Sequence, residues 1–206
     1  MRQLLTIAAV ALLALAPATA NPSFDCAKAT SAAEKTVCEV PDLQWSDRQL
    51  ARFYKMALKD SGSNRMGVTQ SQRAFLARRD ACGTDVECLD NAYKAQFKAL
   101  SGSVKVGVPF GEYEPEGMGG SMWIVRFGYD AAFKILTVGG GGHTCTFDTD
   151  SALQGGKGVI RYEEKGANAC RITIAPDGDD MVVQTRNCSD YCGMRAVLGG
   201  RYRRLP

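Results

Sequence analysis

The sequence has little excess charge of either sign: 25 Lys and Arg against 22 Asp and Glu in 206 residues give a formal net charge of +3. That balance excludes a dedicated nucleic-acid binder, which would carry a dominant basic surface. Histidine is almost absent, so His143 is the only imidazole base available to a Ser or Cys nucleophile. No two cysteines have the CxxC spacing of a thiolate metal site. After residue 20, no apolar run approaches the roughly 20 residues that a membrane-spanning helix needs. Stable membrane insertion is therefore not expected. Glycine is scarce over residues 21–100, where only Gly62, Gly67 and Gly83 occur, although the chain contains 22.

What is present begins with an export signal. Met1-Arg2, an apolar stretch over residues 4–16 and Ala18-Thr19-Ala20 read as a signal peptide over residues 1–20 with a small-residue cleavage site. Periplasmic or secreted localisation follows. All eight cysteines, Cys26, Cys38, Cys82, Cys88, Cys145, Cys170, Cys188 and Cys192, lie beyond that site, and an even number in an exported chain predicts disulfides. For the first four, the local pairs Cys26 to Cys38 and Cys82 to Cys88 are preferred. Cys38 to Cys82 with Cys26 to Cys88 is the competing connectivity. Pairing within the last four is open.

The glycine distribution divides the chain near Ser101-Gly102-Ser103 into a helical domain over 21–103 and a β-rich domain over 104–206. Leu89, Ala92, Tyr93, Gln96, Phe97 and Leu100 form one helical face, with Thr84 and Glu87 as its capping box. Thr69 to Gln72 offers a second capping box ahead of Phe75. Leu43 to Leu58 forms another apolar stripe that Ser61-Gly62 ends, and Ser31 to Glu34 starts a short fourth helix. Strands are predicted over 122–127, 133–138, 143–147, 158–162, 170–174 and 181–185, with a turn longer than two residues around Asp177-Gly178. The fold class is α+β: a disulfide-linked antiparallel helical hairpin followed by an antiparallel β-sandwich or small barrel.

Residues 22–100 resemble the LprI-type lysozyme-inhibitor N-terminal family. The residues that carry the resemblance are Phe24 to Ala29, Glu34, Val37-Cys38, Asp47, Leu50, Tyr54, Gln72, Arg79 to Cys82, Cys88, Tyr93 and Leu100. Phe75 stands where the family usually has Trp, and Gln96 where Arg is common. The resemblance implies a non-enzymatic protein that occludes a lysozyme's substrate cleft, with a c-type lysozyme as partner. The runner-up is a cell-envelope maintenance module binding peptidoglycan or an endogenous envelope protein.

The candidate contact residues are Arg78 and Asp80, although a scaffold role is weighed above them, with Asp47 bridging to Arg78 or Arg79. Glu112, Glu114 and Glu116 form an acidic segment that could meet a cationic protein. No cofactor is expected: the glycine runs 139–142 and 155–158 lack the GxxxxGK[ST] order, and Asp177, Asp179 and Asp180 lack the EF-hand ligand pattern. His143 lies in no hydrolase motif and is read as structural. Oligomeric state is not written in the sequence.

Overall fold

A computed structural model of the chain describes residues 21–206. The expected signal peptide lies outside the described residues. Four helices come first: α1 (Ala32–Glu39), α2 (Pro41–Asp60), α3 (Arg65–Ala81) and α4 (Val86–Ser101). Eight strands follow: β1 (Phe110–Pro115), β2 (Gly119–Arg126), β3 (Asp130–Val138), β4 (Thr144–Gln154), β5 (Ile160–Glu163), β6 (Arg171–Asp177), β7 (Asp180–Arg186) and β8 (Gly200–Arg204). Each strand pairs antiparallel with its sequence neighbour, and β8 returns to β1, so the sheet closes into an up-and-down barrel rather than a sandwich.

Local chemistry sets the helix ends. Ser31 and Glu34 form a reciprocal capping box on α1, and Pro41 opens α2, where a missing N–H costs no intrahelical bond. α3 begins earlier than expected, and Thr69 is an interior residue whose hydroxyl donates to the Arg65 carbonyl at 3.0 Å. Burial of Val68 draws this extra turn onto the core, and Asn64 folds against Gly67, where a Cβ would meet its side-chain oxygen at 2.5 Å. α4 is capped by Asp85, not Thr84, because the Asp85 carboxylate accepts from the Cys88 N–H at 3.0 Å. α4 packs on both α2 and α3, and α1 lies against α2 and α3, so the four expected helices form one packed group.

The barrel contains two strands that the sequence reading omitted, β1 and β8, and β4 runs well past residue 147. The turn between β6 and β7 is shorter than expected, since Asp177 pairs directly with Asp180 and leaves Gly178-Asp179 as a two-residue loop. Gly178 supplies a φ of +66° there. Alternate residues fill the interior: Tyr113, Met122, Ile124, Phe133, Ile135, Ile172, Ile174, Val183 and Tyr202 belong to one cluster.

Several residues on the outer face of β1 to β3 are covered by the helices. Phe110, Trp123, Val125 and Ala132 join Phe53, Phe97 and Leu100 of the helices in a second cluster. The Phe97 ring stacks on Phe110 at 5.0 Å and meets Trp123 edge-on at 6.4 Å. Polar contacts border this seam: the Trp45 indole donates to the Thr149 carbonyl at 3.1 Å, Arg48 grips Asp150 with two hydrogen bonds, and Arg52 pairs with Asp130 at 2.6 Å. A boundary at residue 103 thus separates helices from strands, while one of the two apolar cores crosses it.

The cysteines form four disulfides: Cys26 to Cys38, Cys82 to Cys88, Cys145 to Cys192 and Cys170 to Cys188. The helical pair is local. In the barrel region, the bridges tie the irregular segment before β8 to β4 and to the start of β6.

Candidate functional site

The residues that carry the family resemblance converge on a buried polar framework between α1, α2, α3 and α4. Arg79, from the last turn of α3, is 5% exposed. Its guanidinium donates to Asp80 at 2.7 and 3.0 Å and lies 3.5 Å from Glu34. Burial opposes its charge, but the hydrogen bond it donates to Asp80 and the surrounding negative potential keep it protonated. Asp47 takes different partners, the Tyr93 hydroxyl at 2.9 Å and the Ser23 N–H at 2.7 Å. Burial, followed by the neighbouring Asp47 charge, pushes the Tyr93 phenol far above its ordinary range. The expected bridge from Asp47 to Arg78 or Arg79 is therefore not formed. Glu34 and Asp80 stand nearer the guanidinium, and Asp47 is engaged by Tyr93.

Arg78 and Asp80 are both on the surface. The Arg78 guanidinium donates one hydrogen bond to Gln96 at 3.3 Å, and Gln96 also binds Ser71 and Gln72. Asp80 directs a carboxylate oxygen to Arg79. Each of the two has a structural partner and an exposed edge, and they belong to the same α3 end without touching one another through a side-chain hydrogen bond.

A second feature was not identified from sequence. The first turns of α2 and α4 meet β2 and β3 around a cleft of about 410 Å³. Its floor is apolar, with Leu43, Trp123 and Leu136, and its rim carries Asp42, Glu87 and Asp90. The one cation in its lining is Lys134, whose ammonium lies 3.4 Å from Asp90, donates to the Ser46 hydroxyl at 3.3 Å and sits 3.9 Å above the Trp123 ring. Among the described residues, no Lys or Arg pairs with Asp42 or Glu87. A negative rim over an apolar floor matches a long cationic side chain, whose stem and head have opposite preferences. The signal available in the sequence was Met122-Trp123-Ile124-Val125, a strand segment apolar on both faces and therefore covered on both.

The acidic segment on β1 is different in kind. Glu112 is 8% exposed and paired with Lys94 at 2.6 Å and Lys98 at 3.7 Å, while Glu114 pairs with Arg203 and Glu116 lies near Arg201 and Arg203. Glu112 thus ties the barrel to α4, and Glu114 and Glu116 face arginines of β8, so the segment is not an unpaired acidic surface. Asp177 and Asp180 likewise pair with Arg201. His143 sits on the turn into β4, and among the described residues no hydrogen bond joins its ring to a hydroxyl, thiol or carboxylate. Every cysteine is in a disulfide, so no thiol nucleophile exists. Among the described residues, no group of His, Cys, Asp and Glu has the arrangement of a metal centre.

Residues 26–116 match the family model described as Lysozyme inhibitor LprI. The match spans all four helices, the framework around Arg79 and the first barrel strand. No curated protein and no solved structure matches the chain. The N-terminal region of this chain, residues 26–116, therefore carries the pattern of the LprI lysozyme-inhibitor family, and residues 117–206 lie outside it.

Proposed function

We propose that the chain is an exported, non-enzymatic protein that inhibits a lysozyme by covering its substrate cleft. The family match over the helical region carries this reading. Four disulfides suit an oxidising compartment, periplasmic or extracellular, reached after removal of the signal peptide. A c-type lysozyme is the partner to test first.

The helices supply a pre-ordered contact surface, so binding loses less conformational entropy than it would with a mobile loop. Net charge gives little long-range steering toward a basic enzyme, but Asp42, Glu87 and Asp90 concentrate negative potential at one cleft. The contact is centred on that rim, with Arg78 and Asp80 as secondary contacts on the α3 end.

Residues 21–206, with disulfides intact, should slow bacterial cell-wall lysis by c-type lysozyme at stoichiometric concentration. Asp42→Asn with Glu87→Gln should weaken inhibition more than Arg78→Ala. Unchanged lysozyme turnover at large excess of the protein rejects inhibition and favours an endogenous envelope partner or peptidoglycan. Inhibition that persists in the double variant moves the contact away from the acidic rim.

A further inference from the structure

The interior of the barrel changes character at one rim. Inward positions of β2 run Met122, Ile124 and then Arg126, those of β4 run Ala152 and then Gln154, and those of β8 run Tyr202 and then Arg204. The two-residue period of a strand thus brings three polar side chains to the same end of the barrel, above an apolar interior. They line a cleft of about 410 Å³ together with Tyr113, Pro176, Met181 and the loop residues Val108 and Lys157. That size is within the range of small-molecule sites, which recur at the mouths of β-barrels.

Arg126 is the centre of the cleft chemically. It is 4% exposed, yet among the described residues no carboxylate forms an ion pair with it. One Nη1–H donates to the Val108 carbonyl at 3.0 Å, and the Tyr113 phenol is its other polar neighbour. A guanidinium has five N–H donors, so this environment satisfies only part of its capacity. Burial lowers the guanidinium's affinity for its proton, and nearby Arg204 adds like-charge repulsion. A buried charge without a counter-ion is costly, and an arriving anion would offset that cost.

The surroundings point the same way. Lys157 and Arg204 are the other cations in the lining, neither is in an ion pair among the described residues, and Asp179 is the single carboxylate. The Gln154 side-chain oxygen is buried and, among the described residues, accepts no hydrogen bond. Val108 and Lys157 both hold positive φ, +43° and +58°. A β-branched residue in that region is strained, and here the strained residue presents its carbonyl to Arg126.

We propose that this barrel mouth is a binding site for a small organic anion, a carboxylate or phosphate that also carries a hydroxyl or amide donor. Arg126 and Arg204 hold the anionic group, Lys157 closes over it from the β4 to β5 loop, and Gln154 accepts from the donor. The site is formed by residues beyond 116 except for Gly107, Val108 and Tyr113 and does not depend on lysozyme inhibition.

The test uses residues 21–206 with disulfides intact, titrated calorimetrically at low ionic strength with citrate and, separately, with inorganic phosphate. Amide NMR spectra locate the response. Saturable one-site binding of either anion is expected, with shifts at Arg126, Gln154, Gly158 and Arg204, and the stronger of the two identifies carboxylate or phosphate chemistry. Arg204→Gln, at an exposed position, should weaken binding by at least about tenfold, the equivalent of one charge-assisted hydrogen bond. Arg126→Gln should do the same or more, and Asp179→Asn should tighten binding. Absence of saturable binding by both anions overturns the proposal. So does binding that Arg204→Gln and Arg126→Gln leave unchanged, or a shift map centred elsewhere.

Discussion

The helical layer and the barrel solve the problem of polar groups in opposite ways. Around Arg79 each buried polar group has a protein partner: Glu34 and Asp80 for the guanidinium, Tyr93 and the Ser23 N–H for Asp47. At the barrel mouth, among the described residues, Arg126 has no carboxylate and the Gln154 oxygen has no donor. A saturated network fixes shape and leaves little chemistry for a ligand; an unsaturated one has donors and acceptors to offer. The region that matches a known family thus holds the satisfied framework around Arg79, and Arg126 and Gln154 of the barrel mouth lie outside that match.

The helices and the barrel share a seam, and disrupting it should have the largest effect. Phe97 touches Phe53 within the helices and Phe110 and Trp123 on the barrel. Phe97→Ala should cost about 3–5 kcal/mol, the range for a large buried ring. Because one core crosses residue 103, helical and strand signals should melt together in the wild type and fall by the same amount in the variant. Loss confined to the far-ultraviolet helical signal, with hydrogen exchange in β2 unchanged, would show that the two parts fold independently.

Crosslinks sharpen the same contrast. Cys145 and Cys192 are 47 residues apart, whereas Cys82 and Cys88 are 6 apart. Under the loop-entropy account, the first bridge stabilises by about 4 kcal/mol and the second by about 2 kcal/mol. Paired Cys→Ala variants of each bridge, compared by denaturant unfolding, should therefore rank in that order. Equal losses would place the effect in native packing rather than in the unfolded chain.

How much of this could be read from the sequence depends on the range of the interactions involved. Local signals were legible: the Ser31 and Glu34 capping box, the stop at Ser61-Gly62 and the α4 face from Leu89 to Leu100 all lie within a few residues of their partners. Where two local candidates competed, context decided, as with Asp85 over Thr84 and the buried Val68 that extends α3 through Thr69. β1 was hidden because Gly111, Glu112, Glu114 and Pro115 are poor strand formers, and its stability comes from barrel closure and from Lys94 and Lys98 meeting Glu112. Neither proposed binding site could be placed without register. Asp42 and Glu87 belong to separate helix starts, and Arg126 is set apart from the surface arginines only by lying inward on a closed barrel.

Within the helical framework, Tyr93→Phe removes the hydrogen bond to Asp47 while keeping the ring that packs on Phe75 at 5.2 Å. Asp47 is then left with the Ser23 N–H as its remaining bond in the framework, at a position 6% exposed. The expected loss is about 2 kcal/mol, typical of a hydrogen bond to a charged group. A change near zero by chemical denaturation would mean that water replaces the phenol, and that the framework is less saturated than the barrel comparison holds.

The smallest expected effect is a pH dependence carried by Glu34. Hydrogen bonds from the Thr30 and Ser31 N–H groups hold its carboxyl below the ordinary value of 4.5, burial works against them, and the Arg79 charge adds to the lowering. A carboxyl whose pKa is depressed on folding contributes stability that is fully present above its unfolded pKa and is lost as pH falls through the folded one. Wild type should therefore lose stability below about pH 4.5 more steeply than Glu34→Gln, with little difference between their slopes at neutral pH. Gln keeps the side-chain oxygen that closes the α1 cap, so the comparison isolates the charge rather than the cap. Thermal melts from pH 7 down to pH 3 measure it, and parallel acid limbs in the two proteins would assign the acid sensitivity to carboxylates outside the Arg79 framework.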